Sequence, residues 1–170
     1  MTDLIILATL LPGPKHGYQL KHEAGLIIGQ QAIHNNLVYP LLRRFMSKGW
    51  VSKKVVPGER GQTRQQYTLT AAGRKELIAR LSTFDEQEAR SGDEFRVRVG
   101  LFAVLPHEVR ERILKRRKEY LHGQTEKFAR LQENIEVGTY GGEVIDHLRQ
   151  MGSLQLKWIE RLQRLEKSEA

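Results

Sequence analysis

Asparagine, tyrosine and arginine fall within one short run of the chain, Asn35 to Trp50, reading NNLVYPLLRRFMSKGW. Leu37, Leu41, Leu42 and Phe45 recur at helical spacing and are expected to bury together. That leaves Asn36, Tyr39, Pro40, Arg43, Arg44 and Ser47 on the opposite face, with Gly49 ending the helix. A short helix with an apolar back and a front of amide, phenol and guanidinium suits a DNA major groove. Arg43 is the first candidate for reading a base, because a guanidinium can bond a guanine edge bidentately. Asn35 and Asn36 serve either as helix caps or as base and phosphate contacts. Tyr39 can lay its ring on a sugar and its hydroxyl on a phosphate, or simply be half-buried. Arg44 and Lys48 suit phosphates, or are plain surface charge. Any amphipathic surface helix has a polar front, so the meaning of this one depends on its surroundings.

No other set of residues suggests chemistry. The six histidines, His16, His22, His34, His107, His122 and His147, are scattered without carboxylate or cysteine partners at metal-ligand spacing. There is no nucleophile elbow and no phosphate-cradling glycine loop ahead of a helix. Gly138, Gly141 and Gly142 follow a helical pattern and read as a turn. Neither enzyme activity, nor a metal, nor a cofactor is expected.

Charge points the same way as the helix. Residues 1–80 contain 12 Lys and Arg against 4 Asp and Glu, and residues 81–170 contain 16 of each. The entire net charge of +8 therefore resides in the first half. Such asymmetry fits one module that meets a polyanion and another with a different task, although a solvated basic surface would look similar. The absence of cysteine fits a reducing cytoplasm. The apolar run LIILATLL is too short for a membrane span, and its flanks do not resemble those of a signal peptide.

The elements that must position the helix can be taken in order. Thr2 or Asp3 is expected to cap a first helix over Leu4 to Leu11, which Pro12-Gly13-Pro14 terminates. His16-Gly17-Tyr18 opens a second helix with Leu20 and Ala24 buried, and places Tyr18 and Lys21 where they could clamp a flanking DNA strand. Leu26-Ile27-Ile28, between Gly25 and Gly29, leads toward Asn35. After Gly49 the period changes. Trp50 to Val56 and Arg64 to Leu69 read as two strands around a polar tip, Pro57 to Gln62. Thr70 then caps a fourth helix through Leu77, Ile78 and Leu81. Three helices and a hairpin make a winged helix-turn-helix, whose wing would bring Arg60 and Arg64 to a phosphate backbone or minor groove. Trp50 is expected to close the wing against the core.

HGYQL after a PGP turn, LVYPLLRRFMSKGWV, and RQQYTLTAAGRKEL resemble, in order and spacing, the PadR family of bacterial transcriptional regulators. The resemblance covers residues 4–80. The chain departs from the family pattern at Asn35-Asn36, and at Phe45-Met46, where relatives more often carry Leu-Glu. The resemblance implies a DNA-binding regulator, more commonly a repressor than an activator. Some relatives bind a small-molecule effector between their two parts, and Trp50 or Trp158 could line such a pocket here.

The second half reads as helical. Thr83 to Gly100 suggests a hinge and a short helix. After Pro106, Val109, Ile113, Tyr120, Phe128, Leu131 and Ile135 lie near one stripe, interrupted by Lys115-Arg116-Arg117-Lys118, which reads as a solvated face. Beyond the glycine break, Val144, Met151, Trp158 and Leu165 stand seven apart, with Leu148 and Leu162 between them and polar Gln155 in the remaining slot. Ile145 and Ile159 widen the seam. A heptad seam wants a partner helix, and a lone polar residue within it can set register. The segment resembles the helical dimerisation domain of the longer PadR proteins, those similar to virulence activators.

The expectation is a mainly α protein with a small hairpin: a winged helix-turn-helix over 1–82, followed by a coiled-coil-like dimerisation domain over 83–170. It would bind double-stranded operator DNA as a cytoplasmic homodimer, with no membrane partner. The rival is a winged helix that binds another protein.

Overall fold

The computed structural model describes residues 1–27, 33–57, 62–134 and 138–169. These fall into two compact units, one formed by 1–83 with 96–105, the other by 84–95 with 106–170.

In the first unit the helices are α1 (Thr2–Thr9), α2 (Gly17–Ile27), α3 (Asn35–Ser47) and α4 (Ala71–Ser82). Strands β2 (Val51–Pro57) and β3 (Thr63–Leu69) form the expected hairpin, in the register Val51 opposite Leu69 to Pro57 opposite Thr63. A third strand, β1 (Lys15–His16), pairs antiparallel with the other side of β3. Two residues are too few to leave an alternating pattern, so the sequence reading missed it. The core is built from α1, which buries Ile5, Ile6 and Leu7 completely, with Leu20 and Ala24 of α2, Leu42 and Phe45 of α3, and Leu77 and Leu81 of α4. A fully buried side chain of this size contributes roughly 1.5–3 kcal/mol.

Both proposed N-terminal caps are corrected. Helix α1 is capped at Met1, and Asp3 lies inside the first turn, where its Oδ1 accepts the Leu4 N–H at 3.0 Å. Helix α3 is capped at His34 without a side-chain bond, so Asn35 and Asn36 are its first two helical residues and neither stands at the N-cap position. Its C-terminus follows the expected glycine stop. The Gly49 N–H donates to the Met46 carbonyl at 3.0 Å and the Trp50 N–H to Phe45 at 2.9 Å, with Gly49 at φ 70°. This is a Schellman closure, and its positive φ favours glycine.

Thr70 caps α4 as expected, its Oγ1 accepting the Gly73 N–H at 3.0 Å. The same hydroxyl donates to the Gly49 carbonyl at 2.7 Å, and the Thr70 N–H donates to the Trp50 carbonyl at 3.0 Å. One threonine therefore fastens the end of α3, the start of β2 and the start of α4. Gly73 is needed beside it. A methyl group built there would overlap the Trp50 carbonyl oxygen and come within 2.8 Å of the Leu69 side chain.

The second unit contains α5 (Glu86–Arg90), the first half of α6 (Gly92–Val99), α7 (His107–Asn134) and α8 (Thr139–Glu169). The segment expected to hold one short helix thus holds two. Asp85 and Glu88 form a reciprocal capping box at α5. Helices α7 and α8 pack together, burying Ile113, Leu114 and Leu121 from one and Ile145 and Ile159 from the other.

The basic run on α7 is not simply a solvated face. Arg117 is buried, donating from Nη1 to the Ala89 carbonyl at 2.5 Å and from Nε to the Gln155 Oε1 at 3.1 Å, with its guanidinium 5.2 Å from the Tyr120 ring centre. Arg116 donates to the Phe84 carbonyl. Gln155, the polar member of the heptad, is therefore satisfied within its own chain by α7.

Candidate nucleic-acid interface

Helix α3 buries Val38, Leu42 and Phe45 on one side. Leu37 was expected among them but is 45% exposed, and Val38, one residue on, takes its place. At 100° per residue, Val38 is in line with Leu42 and Phe45 and Leu37 is turned off that line. Leu41 is half-buried on the same flank. The opposite side presents Asn36, Tyr39, Pro40, Arg43 and Ser47, all exposed. The side chain of Asn35 and all of Arg60 lie outside the described residues, as do Ile28, Gly29, the wing tip at 58–61 and Ile135.

Tyr39 is held in a definite place. Its hydroxyl and ring lie directly over Gly17, the first residue of α2, where an added Cβ would meet the hydroxyl at 3.0 Å and Cε1 at 3.1 Å. Glycine at this position lets α2 and the tyrosine approach. Below it sits Tyr67 of β3, almost fully buried, its hydroxyl donating to the Gln65 Oε1 at 3.0 Å. Burial raises the Tyr67 phenol above its ordinary value and neighbouring Tyr39 adds to this, while the charge of Arg43 acts in the opposite direction. Tyr67 thus remains a neutral donor and a fixed floor for the two residues above it.

Beside this floor runs a concavity of about 720 Å³, lined by His16, Gly17, Tyr18, Gln19, Tyr39, Thr63, Arg64, Gln65 and Tyr67. Its walls are the start of α2, the middle of α3 and the returning strand of the wing. Strand β1 sets its shape, since the His16 Nδ1 also meets the Gln65 carbonyl at 3.1 Å. Tyr18 stands 74% exposed at the rim, with its ring stacked 6.4 Å from that of His22. The structure therefore brings Tyr18, Tyr39 and Arg64 to one groove, beside the exposed front of α3 with Arg43. Lys21 is half-buried on α2. Gln19, Thr63 and Gln65 were not among the sequence candidates, because the groove depends on β1 pairing with β3.

Arg44 and Lys48 belong elsewhere. They lie on the flank of α3, roughly a quarter to a third of a turn from the front. Arg44 Nη2 is 3.7 Å from the Asp3 Oδ2, and Lys48 Nζ is 4.6 Å from the ring centre of Trp50. Arg80 of α4 approaches the same ring at 4.8 Å and bonds Asp3 Oδ2 at 2.7 Å and Glu76 Oε1 at 2.6 Å. Trp50 itself packs on Phe45 at 5.8 Å, closing the hairpin against the helical core as expected.

In the second unit, five residues of the heptad lie at the surface of α8 or near it. Val144, Leu148, Met151 and Leu165 are 58%, 40%, 55% and 58% exposed, and Leu162 is half-buried. Leu154, absent from the heptad reading, joins them at 67%. Ile145 and Ile159 are turned inward instead. Trp158 is half-buried and meets Phe95 edge-on at 5.5 Å. Among the described residues no group of acidic or histidine side chains could hold a metal ion.

Helix, turn and recognition-type helix followed by a two-stranded wing, which β1 joins from ahead of α2, define a winged-helix protein with a helical C-terminal region. Residues 6–79 match the transcriptional regulator PadR-like family, and the chain belongs to that family of regulators, not of enzymes. Among solved structures, a transcriptional-regulator candidate from Thermoplasma acidophilum is 33% identical over 46% of this chain and 74% of its own, with a TM-score of 0.43. Bacillus subtilis PadR in complex with operator DNA is 16% identical over 96% of this chain and 98% of its own, with a TM-score of 0.47. No curated protein matches the chain.

Proposed function

We propose that this transcriptional regulator represses by binding a near-palindromic operator as a cytoplasmic homodimer. Residues 1–82 serve as the DNA-binding module and residues 83–170 as the dimerisation domain. The observation that carries the reading is the arrangement around α3. Arg43, Asn36 and Tyr39 stand on its exposed front, beside a groove that adds Tyr18 and Arg64, all within the half that carries the net charge. Arg43 with Asn36 reads base edges in the major groove. Asn35 at the helix start, Tyr39, Tyr18, Lys21 and the wing arginines Arg60 and Arg64 hold the backbone. Arg44 and Lys48 flank them as phosphate-facing cations.

Two such helices in successive major grooves require half-sites about one helical turn apart. The exposed Val144, Leu148, Met151 and Leu165, with Leu162, supply the seam that would pair the subunits. A small-molecule effector that releases the dimer from DNA completes the reading. It would be recognised as a ligand that both raises thermal stability and lowers operator affinity.

The test is a mobility-shift titration against DNA from upstream of the protein's own gene. Affinity should fall steeply between low and physiological salt, with a logarithmic slope of about −0.9 for each phosphate neutralised. Absence of binding at low salt would overturn the reading in favour of a winged helix that docks another protein. Footprints showing activation-type placement beside the promoter would retain DNA binding and replace repression.

A further inference from the structure

The first turn of α1 places a carboxylate against the flank of the recognition helix. We propose that Asp3 acts as an intramolecular competitor for DNA phosphate, holding Arg44 to the protein and so limiting operator affinity. The inference rests on the operator reading above and adds a control to the same surface.

The geometry is specific. Asp3 divides its oxygens: Oδ1 is occupied by the Leu4 N–H at 3.0 Å, and Oδ2 faces two guanidinia, Arg80 at 2.7 Å and Arg44 at 3.7 Å. Arg80 is anchored in addition by Glu76 at 2.6 Å and by the Trp50 ring at 4.8 Å. It stays in place whether or not Arg44 leaves. Arg44, by contrast, is 51% exposed at its side chain, and its looser contact with Asp3 is the weaker of the two. A carboxylate in this position offers Arg44 the same kind of partner that a phosphate would. The helix therefore carries two classes of cation. Among the described residues Arg43 on the front has no such acidic neighbour at the distances that define an ion pair, whereas Arg44 must leave Asp3 before it can meet the backbone.

Burial alone would raise the Asp3 carboxyl, but the N-terminal ammonium, the Leu4 N–H and Arg80 outweigh it and leave the group below its ordinary value. It is consequently ionised throughout the neutral range, and the competition is always present there.

Asp3→Asn preserves size and the acceptor for Leu4 while removing the charge. The expected result is opposite movement of two quantities. Thermal stability falls slightly, because Arg80 loses a partner, while operator affinity rises about two- to fivefold, the range an exposed ion pair commands. A merely structural role for Asp3 would lower both. Arg44→Gln in the wild-type and Asp3→Asn backgrounds completes the cycle, and the gain from Asp3→Asn should vanish when Arg44 is absent.

Persistence of the gain without Arg44 would show a long-range effect of net charge and overturn the proposal. Unchanged or weaker binding by Asp3→Asn with an intact fold would overturn it as well. Failure of the wild-type protein to bind any DNA removes the operator reading itself, which separates that failure from the other two.

Discussion

At the residue scale, adjacent arginines of α3 differ in what they meet: Arg43 is exposed on the front of the helix, whereas Arg44 on its flank lies 3.7 Å from Asp3. Asn36, Tyr39 and Arg43 follow from helical spacing, and all three are exposed. Helical spacing also favours Val38 over Leu37 in the core, since only Val38 lies in line with Leu42 and Phe45. Arg44 reads from the sequence as a phosphate contact or plain surface charge, and its partner Asp3, distant in sequence, is not legible there. If Arg43 reads a base, Arg43→Ala should weaken specific binding by about 1–3 kcal/mol and relax the preference at one position. Selection of bound sequences from a random pool would reveal that relaxation, and an unchanged preferred site would remove Arg43 from base readout.

Asp3 also predicts an acid limb of stability. Its folded pKa lies below the ordinary value, so the contribution is fully present above about pH 4 and is lost as pH falls through the folded pKa. Denaturation followed against pH should show Asp3→Asn losing part of that acid dependence while remaining nearly parallel to the wild type above pH 5. A wild-type acid limb unaltered by the substitution would place the titration on other carboxylates.

At the scale of elements, the family-like segment YTLTAAGR acquires a physical explanation. Thr70 joins α3, β2 and α4 through its hydroxyl and its N–H, and Gly73 lets α4 press against the Trp50 carbonyl. Gly73→Ala forces backbone to move away from backbone and should cost about 2 kcal/mol or more, read by urea denaturation. Thr70→Ala, which removes one cap, should cost about 1 kcal/mol. A Gly73→Ala protein as stable as wild type would mean the first turn of α4 can slide freely, contrary to the contact described. The hairpin and four helices of the first unit were readable because turn residues and periodicity agree along them. β1 was not, because its identity depends on β3 and not on its own two residues.

For the whole molecule, the heptad pattern of α8 combines two kinds of residue. Ile145, Ile159 and Gln155 serve α8 from inside its own unit, whereas Val144, Leu148, Met151, Leu154 and Leu165 are left at the surface. Period alone cannot separate a seam within one chain from a seam between two. Leu148→Asp combined with Met151→Asp should shift the protein to monomer in sedimentation while leaving its helix content unchanged. A dimer that survives both charges must use another surface. Trp158→Ala is a poorer probe, since its edge contact with Phe95 means that loss of dimer and loss of internal packing would coincide.

The short pairing of β1 with β3 has a consequence for the cost of ordering on a target. An isolated two-stranded ribbon is free to sweep, and any partner that grips it must first take away that freedom. Here the returning strand is stitched on its outer side at Lys15 opposite Tyr67 and His16 opposite Gln66, immediately ahead of α2. The strand therefore moves with the helix, and much of its conformational entropy is already removed before anything binds. Amide hydrogen exchange in the free protein should show Gln66 and Tyr67 protected together with the start of α2. Proline at position 15, which deletes a donor from the stitch, should loosen both at once.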